Sequence, residues 1–134
     1  MLMTRQQFEI YEAEFNGSAD KSAFFDRWYD PDAVFVHPFK GTFQGKEQLV
    51  GFWNSGKNSG HQGIHEILHL NDFLSIDGRF AVQLAIEWHC FEDTNYLGPR
   101  KKGDVFRGIC AAFYTLNGNK IAHVQIYLNL ENAA

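Results

Sequence analysis

The chain has 134 residues, which is enough for one hydrophobic core and too few for two, so we predict a single domain over residues 1–134. Its 12 basic and 16 acidic residues give a formal net charge of −4 at pH 7, which argues against nucleic acid or an anionic membrane as the main partner. The two cysteines lack the spacing of a zinc or disulfide framework, and no apolar run approaches the roughly 18 residues of a membrane span, so we expect a cytoplasmic protein without a metal.

Three helices are predicted in the first half of the chain. Residues 4–7 fit a capping box, and apolar residues at helical spacing follow, so the first helix covers residues 4 to about 15. Asp20 is suited to cap a second helix, which Pro31 ends because proline cannot continue it. The third helix covers residues 46–53.

The later part of the chain changes to a period of two, which predicts strands. A short strand at residues 33–37 is ended by Pro38, and residues 40–45 are predicted to form a turn-rich link. Asp77-Gly78 and Asn117-Gly118 are hairpin-turn signals. Helices followed by an antiparallel meander predict an α+β fold in which three helices close one face of a curved sheet. The four long strands are predicted at residues 64–73, 80–91, 105–114 and 121–130.

His37 is the first candidate site residue, because it ends the short apolar strand directly before Pro38. A histidine held there lies at the mouth or floor of a pocket, and its ordinary pKa of about 6.5 allows proton exchange at cell pH. The alternative is a histidine whose ring is satisfied by a backbone carbonyl.

The segments F-D-R-W-Y-D-P-D-A-V (25–34), H-P (37–38) and G-K-E-Q-L-V-G-F-W (45–53) form one pattern. It resembles the nuclear transport factor two-like superfamily, which includes SnoaL-like polyketide cyclases, ketosteroid isomerase and scytalone dehydratase. The resemblance covers nearly the whole chain and implies a cone-shaped, cystatin-like antiparallel sheet closed on one face by three N-terminal helices. It also implies a homodimer formed sheet to sheet. It specifies the fold far better than the function, because this scaffold hosts many activities.

The resemblance implies roles for three residues. His37 stands where ketosteroid isomerase has its aspartate general base, Tyr11 falls at the place of the oxyanion-binding tyrosine, and Tyr29 matches a second tyrosine of that network. A base opposite a phenol donor removes a proton next to a carbonyl and stabilises the enolate. The isomerase's acidic donor corresponds to Ile109 or Cys110 here, so steroid isomerisation itself is not expected.

Arg107 is a candidate for binding an anionic or enolate oxygen. If Ile109 and its alternating neighbours face the interior, strand alternation also turns Arg107 inward. The alternative is a surface arginine paired to Asp104 or Glu87.

Three more residues are candidates for substrate binding. Trp88 shares the apolar face of its predicted strand and Trp53 that of the third helix, where each either walls a pocket or packs as ordinary core. The resemblance implies a pocket role for His65, because some dehydratases of this fold carry a histidine on the corresponding strand.

The segment H-E-I-L-H (65–69) also matches the zinc motif of metalloproteases, which places two histidines on one face of a helix. On a strand, positions 65 and 69 lie about 13 Å apart, which is too far for one ion. The flanking glycines and alternating apolar residues predict a strand, so a metalloprotease is a remote alternative. We expect His69 and His123 to be exposed or at a dimer face.

Together, these patterns predict a SnoaL-like protein whose hydrophobic pocket binds a small apolar or carbonyl-bearing molecule. Thirteen Phe, five Tyr and three Trp indicate an aromatic interior with room for a flat ligand. The chemistry expected is cofactor-independent proton transfer of the isomerase, cyclase or dehydratase type, with His37 as base. The alternative is a non-catalytic ligand-binding protein or dimeric interaction module.

Overall fold

The computed structural model describes residues 2–131, which form three helices and six strands. The α+β class is confirmed, with the helices and the strands close to their predicted positions. The helices are α1 (Arg5–Gly17), α2 (Ser22–Trp28) and α3 (Gly45–Trp53), and the strands are β1 (Tyr29–His37), β2 (Gly41–Gln44), β3 (Ile64–Ile76), β4 (Arg79–Cys90), β5 (Val105–Asn117) and β6 (Lys120–Leu130).

One sheet contains all six strands, in the order β2-β1-β6-β5-β4-β3. The pairs along β3, β4, β5 and β6 are antiparallel, as predicted, but β1 runs parallel to β6. The sheet is therefore mixed. Local turn signals do not encode this pairing, because it joins the first strand to the last.

The helix starts show how local sequence sets the elements. The Thr4 hydroxyl accepts a hydrogen bond from the Gln7 backbone N–H, and the Gln7 side chain accepts one from the Thr4 N–H, which completes the predicted capping box. Asp20 accepts a hydrogen bond from the Ser22 N–H, although Lys21 is the residue at the cap position.

Strand β1 begins earlier than predicted, and Pro31 lies inside it rather than at the end of α2. The pairing with β6 shifts register between Tyr29 and Val34, so the proline occupies an irregular stretch where no ladder N–H is needed. The predicted turn-rich link contains β2, which pairs with β1 so that Gly41 lies opposite His37.

The two faces of the sheet differ in burial. Strand β4 buries Phe80 and every second residue up to Cys90, as its alternation predicts. Strand β5 buries Gly108, Cys110, Ala112 and Tyr114, which is the opposite set to the predicted one. The residues at 108 and 112 on the covered face are small, whereas larger apolar residues lie on the other face. A prediction from hydrophobicity alone therefore turned β5 the wrong way.

Lys21 connects the end of α1 to the start of α2 from a buried position. Its ammonium donates hydrogen bonds to the backbone carbonyls of Phe15 and Ser18 and lies 4.0 Å from the centre of the Phe15 ring. Burial lowers the pKa of Lys21 to about 8, which still leaves it mostly charged at pH 7. Within residues 2–131, no helix is long and apolar enough to cross a membrane.

We predict that Lys21→Met destabilises the fold by about 1–3 kcal/mol, because it leaves two carbonyls at the end of α1 without their charged donor. Urea unfolding near pH 7 measures the change. The matched control is Lys57→Met at an exposed site, where the lysine side chain makes no hydrogen bond or ion pair with residues 2–131. Equal stability losses in the two variants would show that the cap contributes nothing.

Candidate functional site

An internal cavity lies among the three helices and the covered face of the sheet. It contains about 560 Å³ of space not filled by atoms, its opening included. This is a narrow slot whose wall is largely aromatic and aliphatic. The wall residues are Tyr11, Phe15, Phe24, Phe25, Tyr29, Phe35, His37, Trp53, Glu66, Leu68, Leu84, Ile86, Trp88, Tyr96, Cys110, Ala112, Tyr114, Ile126 and Leu128.

Two of the predicted site residues, Tyr11 and Tyr29, meet in this cavity. Their hydroxyl oxygens are 2.6 Å apart, and either one can be the donor. Burial raises the pKa of both phenols, so both are neutral at cell pH. Tyr11 also shares a hydrogen bond with Tyr114, so the three hydroxyls use two of their three hydrogens between them and have one left for a ligand.

His37 also lies in the cavity wall, at the end of β1. Its Nδ1 accepts hydrogen bonds from the backbone N–H groups of Phe39 (3.1 Å) and Lys40 (3.2 Å), in the turn between β1 and β2. The neutral ring therefore carries its hydrogen on Nε2, which has no partner among residues 2–131. In this tautomer the free nitrogen donates, whereas the predicted base needs a free lone pair.

The environment of His37 keeps the ring neutral. Burial lowers its pKa to about 4; the charge of Glu66 opposes this shift, and His61 and Lys40 add to it. At cell pH, His37 is thus an oriented, uncharged hydrogen-bond donor.

Glu66 is the carboxylate of the cavity. It projects from β3 between the buried residues Ile64 and Leu68. Its Oε1 accepts a hydrogen bond from Trp88 Nε1 at 2.5 Å and lies 3.2 Å from His61 Nε2, whereas Oε2 has no partner in the described part of the chain.

The ionised form of Glu66 is maintained in spite of its burial. Burial raises its pKa, but the charge and hydrogen bond of His61, the Trp88 hydrogen bond and the charge of Lys21 together lower it below its ordinary value. A carboxylate with one bound and one free oxygen therefore lies in the aromatic wall.

His61 completes this cluster from the loop between α3 and β3. Its side chain is 1% exposed, and its ring packs against Trp53 and Tyr96. Nδ1 is 2.7 Å from the Phe52 carbonyl oxygen, and Nε2 faces Glu66. His61 thus has an acceptor oxygen at each of its ring nitrogens, the Phe52 carbonyl at Nδ1 and the Glu66 carboxylate at Nε2.

Sequence reasoning did not assign Glu66, His61 or Tyr96 to the site. One signal was available for Glu66, because the alternation of β3 places it on the same face as Ile64 and Leu68. No comparable pattern exists for His61 and Tyr96, which both come from loops.

Two predicted site residues lie outside the cavity. Arg107 is on the other face of the sheet, where its side chain is 51% exposed and its Nε is 3.2 Å from Glu87 Oε2. This is the surface pairing that was the alternative, and it follows from the reversed alternation of β5. His65 is also on that outer face, opposite His89 in the β3–β4 ladder, so its predicted pocket role is wrong.

The zinc motif does not have its helical geometry here. Residues 65–69 lie in β3, where His65 and Glu66 project to opposite faces. His69 is on the surface, 3.3 Å from Glu87 Oε1. Among residues 2–131, no group of three or more ligand-type side chains is arranged to hold a metal ion. Trp53 and Trp88, by contrast, are both buried and line the cavity.

We predict a stability loss in acid that depends on His37. The folded ring stays neutral down to a pH of about 4, whereas the unfolded chain protonates it near its ordinary value of about 6.5. The unfolded state binds more protons in this window, so stability falls as pH falls through it. Between pH values of about 7 and 4.5, urea unfolding should show about 2 kcal/mol more loss for the native chain than for His37→Asn.

Asparagine is the matched replacement, because its side-chain oxygen can accept the same two backbone N–H groups without titrating. Parallel stability curves for the two proteins would contradict the neutral, buried state of His37.

No family model matches the chain, and no curated protein matches it. Solved structures do. A Catenulispora acidiphila protein with a ketosteroid isomerase-like fold, in complex with trimethylamine, has a TM-score of 0.69 at 17% identity over 93% of this chain and 86% of that chain. An NTF2-like protein of Anabaena variabilis has a TM-score of 0.67 at 19% identity, with coverage of 94% and 86%.

A candidate polyketide cyclase of Xanthomonas campestris has a TM-score of 0.75 at 17% identity, over 91% of this chain and 87% of that chain. Identities this low establish architecture and leave activity open. At that level the predicted fold is confirmed: the chain has the nuclear transport factor 2-like fold that ketosteroid isomerase-like and SnoaL-like polyketide cyclase proteins also have.

Proposed function

We propose that the cavity binds a small, mostly apolar, carbonyl-bearing molecule and transfers a proton on it without a cofactor. The observation that carries this proposal is the oriented Nε2–H of His37 in an otherwise aromatic cavity. A donor that is desolvated and held in place stabilises negative charge on an oxygen far better than water does. The reaction classes that use such a donor are isomerisation, aldol-type cyclisation and dehydration.

In this proposal the substrate carbonyl oxygen accepts a hydrogen bond from His37. As a proton leaves the neighbouring carbon, negative charge develops on that oxygen. A neutral imidazole suits this role, because it donates a hydrogen bond without a positive charge that would have to be buried. The hydroxyl cluster of Tyr11, Tyr29 and Tyr114 supplies a second donor within the same cavity. This assigns His37 as donor, so the proton acceptor is a different group.

The size of the cavity restricts the substrate. The cavity is a narrow slot between aromatic side chains. The first compounds to test are therefore flat and small. Two structural neighbours support a small-molecule site: one is solved with trimethylamine, and another is described as a candidate polyketide cyclase.

We predict that the protein accelerates exchange of the α-hydrogens of small ketones in D₂O, followed by NMR on cyclohexanone, 2-indanone and 2-tetralone. His37→Asn keeps the backbone cap but removes the Nε2 donor, and should lower the exchange rate by about 100-fold. His37→Gln places an amide N–H near the position of Nε2 and should retain most of the rate.

The two variants separate donor from base. If His37 were the proton acceptor, neither amide could replace it and both variants would lose the rate equally. Ketone binding without any exchange would favour the alternative function, a non-catalytic binder.

We also propose a homodimer formed through the outer face of the sheet. Phe113 and Tyr127 are 46% and 57% exposed there, and their rings form an edge-to-face pair. Aromatic side chains are enriched at protein–protein interfaces relative to the rest of the surface, so an exposed aromatic pair on a sheet face indicates an interface. Analytical ultracentrifugation should find that the native chain is a dimer. The Phe113→Asp variant, which alters no residue of the cavity wall, should be a monomer. A native chain that sediments as a monomer would refute this.

A further inference from the structure

The H-E-I-L-H segment contributes a carboxylate to the cavity instead of a metal site. Glu66 points inward from β3, while the two histidines of the segment lie on the outer face. One carboxylate oxygen is fixed by Trp88 and His61, and the other has no partner within residues 2–131. A half-satisfied, ionised carboxylate in an apolar wall is costly to bury, so a ligand-directed role explains it better than packing does.

We propose that Glu66 is the proton acceptor of the cavity and that its substrates are carbonyl compounds with a hydrogen on the α-carbon. This inference rests on the proposed function and supplies the base that His37 cannot be. His37 has its lone pair bound by two backbone N–H groups, whereas Oε2 of Glu66 has a free lone pair.

The reaction balances without an oxidant or reductant. Oε2 takes the α-proton, and the electron pair of the broken C–H bond forms the C=C bond of the enolate. The π pair of the carbonyl moves to its oxygen, which His37 Nε2–H stabilises. The carboxylic acid form of Glu66 then returns the proton to the same carbon or to a conjugated one, which restores both the carbonyl and the carboxylate.

His61 acts through Glu66 as a positioning residue. Its Nε2 lies at Oε1, and its charge and hydrogen bond lower the pKa of Glu66, so Glu66 stays ionised with Oε2 free for a ligand. The other charged or titratable groups that act on Glu66 or share its cavity come from several elements. They are Tyr11 on α1, Lys21 at the start of α2, Tyr29 and His37 on β1, His65 on the outer face of β3, Tyr96 in the loop after β4, and Cys110 and Tyr114 on β5.

Glu66→Gln tests the base, because the amide oxygen can still accept from Trp88 but cannot take a proton. We expect α-hydrogen exchange to fall by about 100-fold or more. The matched control is Glu87→Gln, which removes a carboxylate from the outer face of the sheet and should leave the exchange rate unchanged.

A second measurement does not depend on turnover. 4-Nitrophenolate, followed by its absorbance, has the charge of an enolate. Removing the negative charge of Glu66 imitates the state after proton abstraction, so Glu66→Gln should bind this anion at least about tenfold more tightly than the native protein. Glu87→Gln should bind it like the native protein.

The outcomes separate this inference from the proposed function. Exchange by the native protein that survives in Glu66→Gln overturns Glu66 as base and leaves ketone chemistry standing. Tighter phenolate binding by Glu66→Gln without any native exchange supports Glu66 and rejects the ketones as substrates. If the native protein shows no exchange and Glu66→Gln binds the phenolate no more tightly, both the proposed function and the role of Glu66 are wrong.

His61→Gln tests the positioning role. Without the neighbouring cation, Glu66 protonates at higher pH, so the acid limb of the exchange rate should move to higher pH and the rate should recover in base. A merely structural role would lower the rate equally at every pH. Should this variant fail to fold, ¹⁵N NMR of His61 in the native protein decides: an imidazolium near pH 7 supports the role, and a neutral ring overturns it.

Discussion

The ion pair between Glu66 and His61 is the interaction on which the cavity depends. Both side chains are almost fully buried, and removing two charges from water costs several kcal/mol for each ion before their attraction is counted. Two hydrogen bonds offset part of this cost: the Phe52 carbonyl lies at Nδ1 of His61, and the Trp88 indole donates to the same Glu66 oxygen that faces His61. A hydrophobic pair of similar volume would be easier to bury, so stability alone does not account for these residues.

The fold brings this pair to one end of the cavity through contacts that are remote in sequence. Gly60 places the loop so close to α3 that an added Cβ would overlap the backbone of Phe52. That approach directs His61 inward. On the opposite side, a Cβ at Gly108 would lie 3.1 Å from the Trp88 ring, so the glycine leaves space for the indole that bonds Glu66.

The sequence predicts the elements that local physics determines. The capping box at Thr4, the proline after His37 and the alternation of β4 correspond to observed features, because each is decided within a few residues. The inward face of β5 was not predictable from hydrophobicity, since Gly108 has no side chain to indicate it. His61 reaches Glu66 only because an irregular loop folds back on α3, and no periodicity describes such a loop.

The same burial acts in opposite directions on the two polar groups of the cavity. For His37, desolvation removes the charged form and leaves a neutral donor. For Glu66, the charge and hydrogen bond of His61 and the hydrogen bond of the indole outweigh desolvation and preserve the anion. Two titratable groups in one apolar space are thereby held in different protonation states over the same pH range, which is the condition for a donor and an acceptor to act on one substrate. A residue's ordinary pKa is thus a poor guide to its role here, because the surroundings decide which nitrogen or oxygen is free.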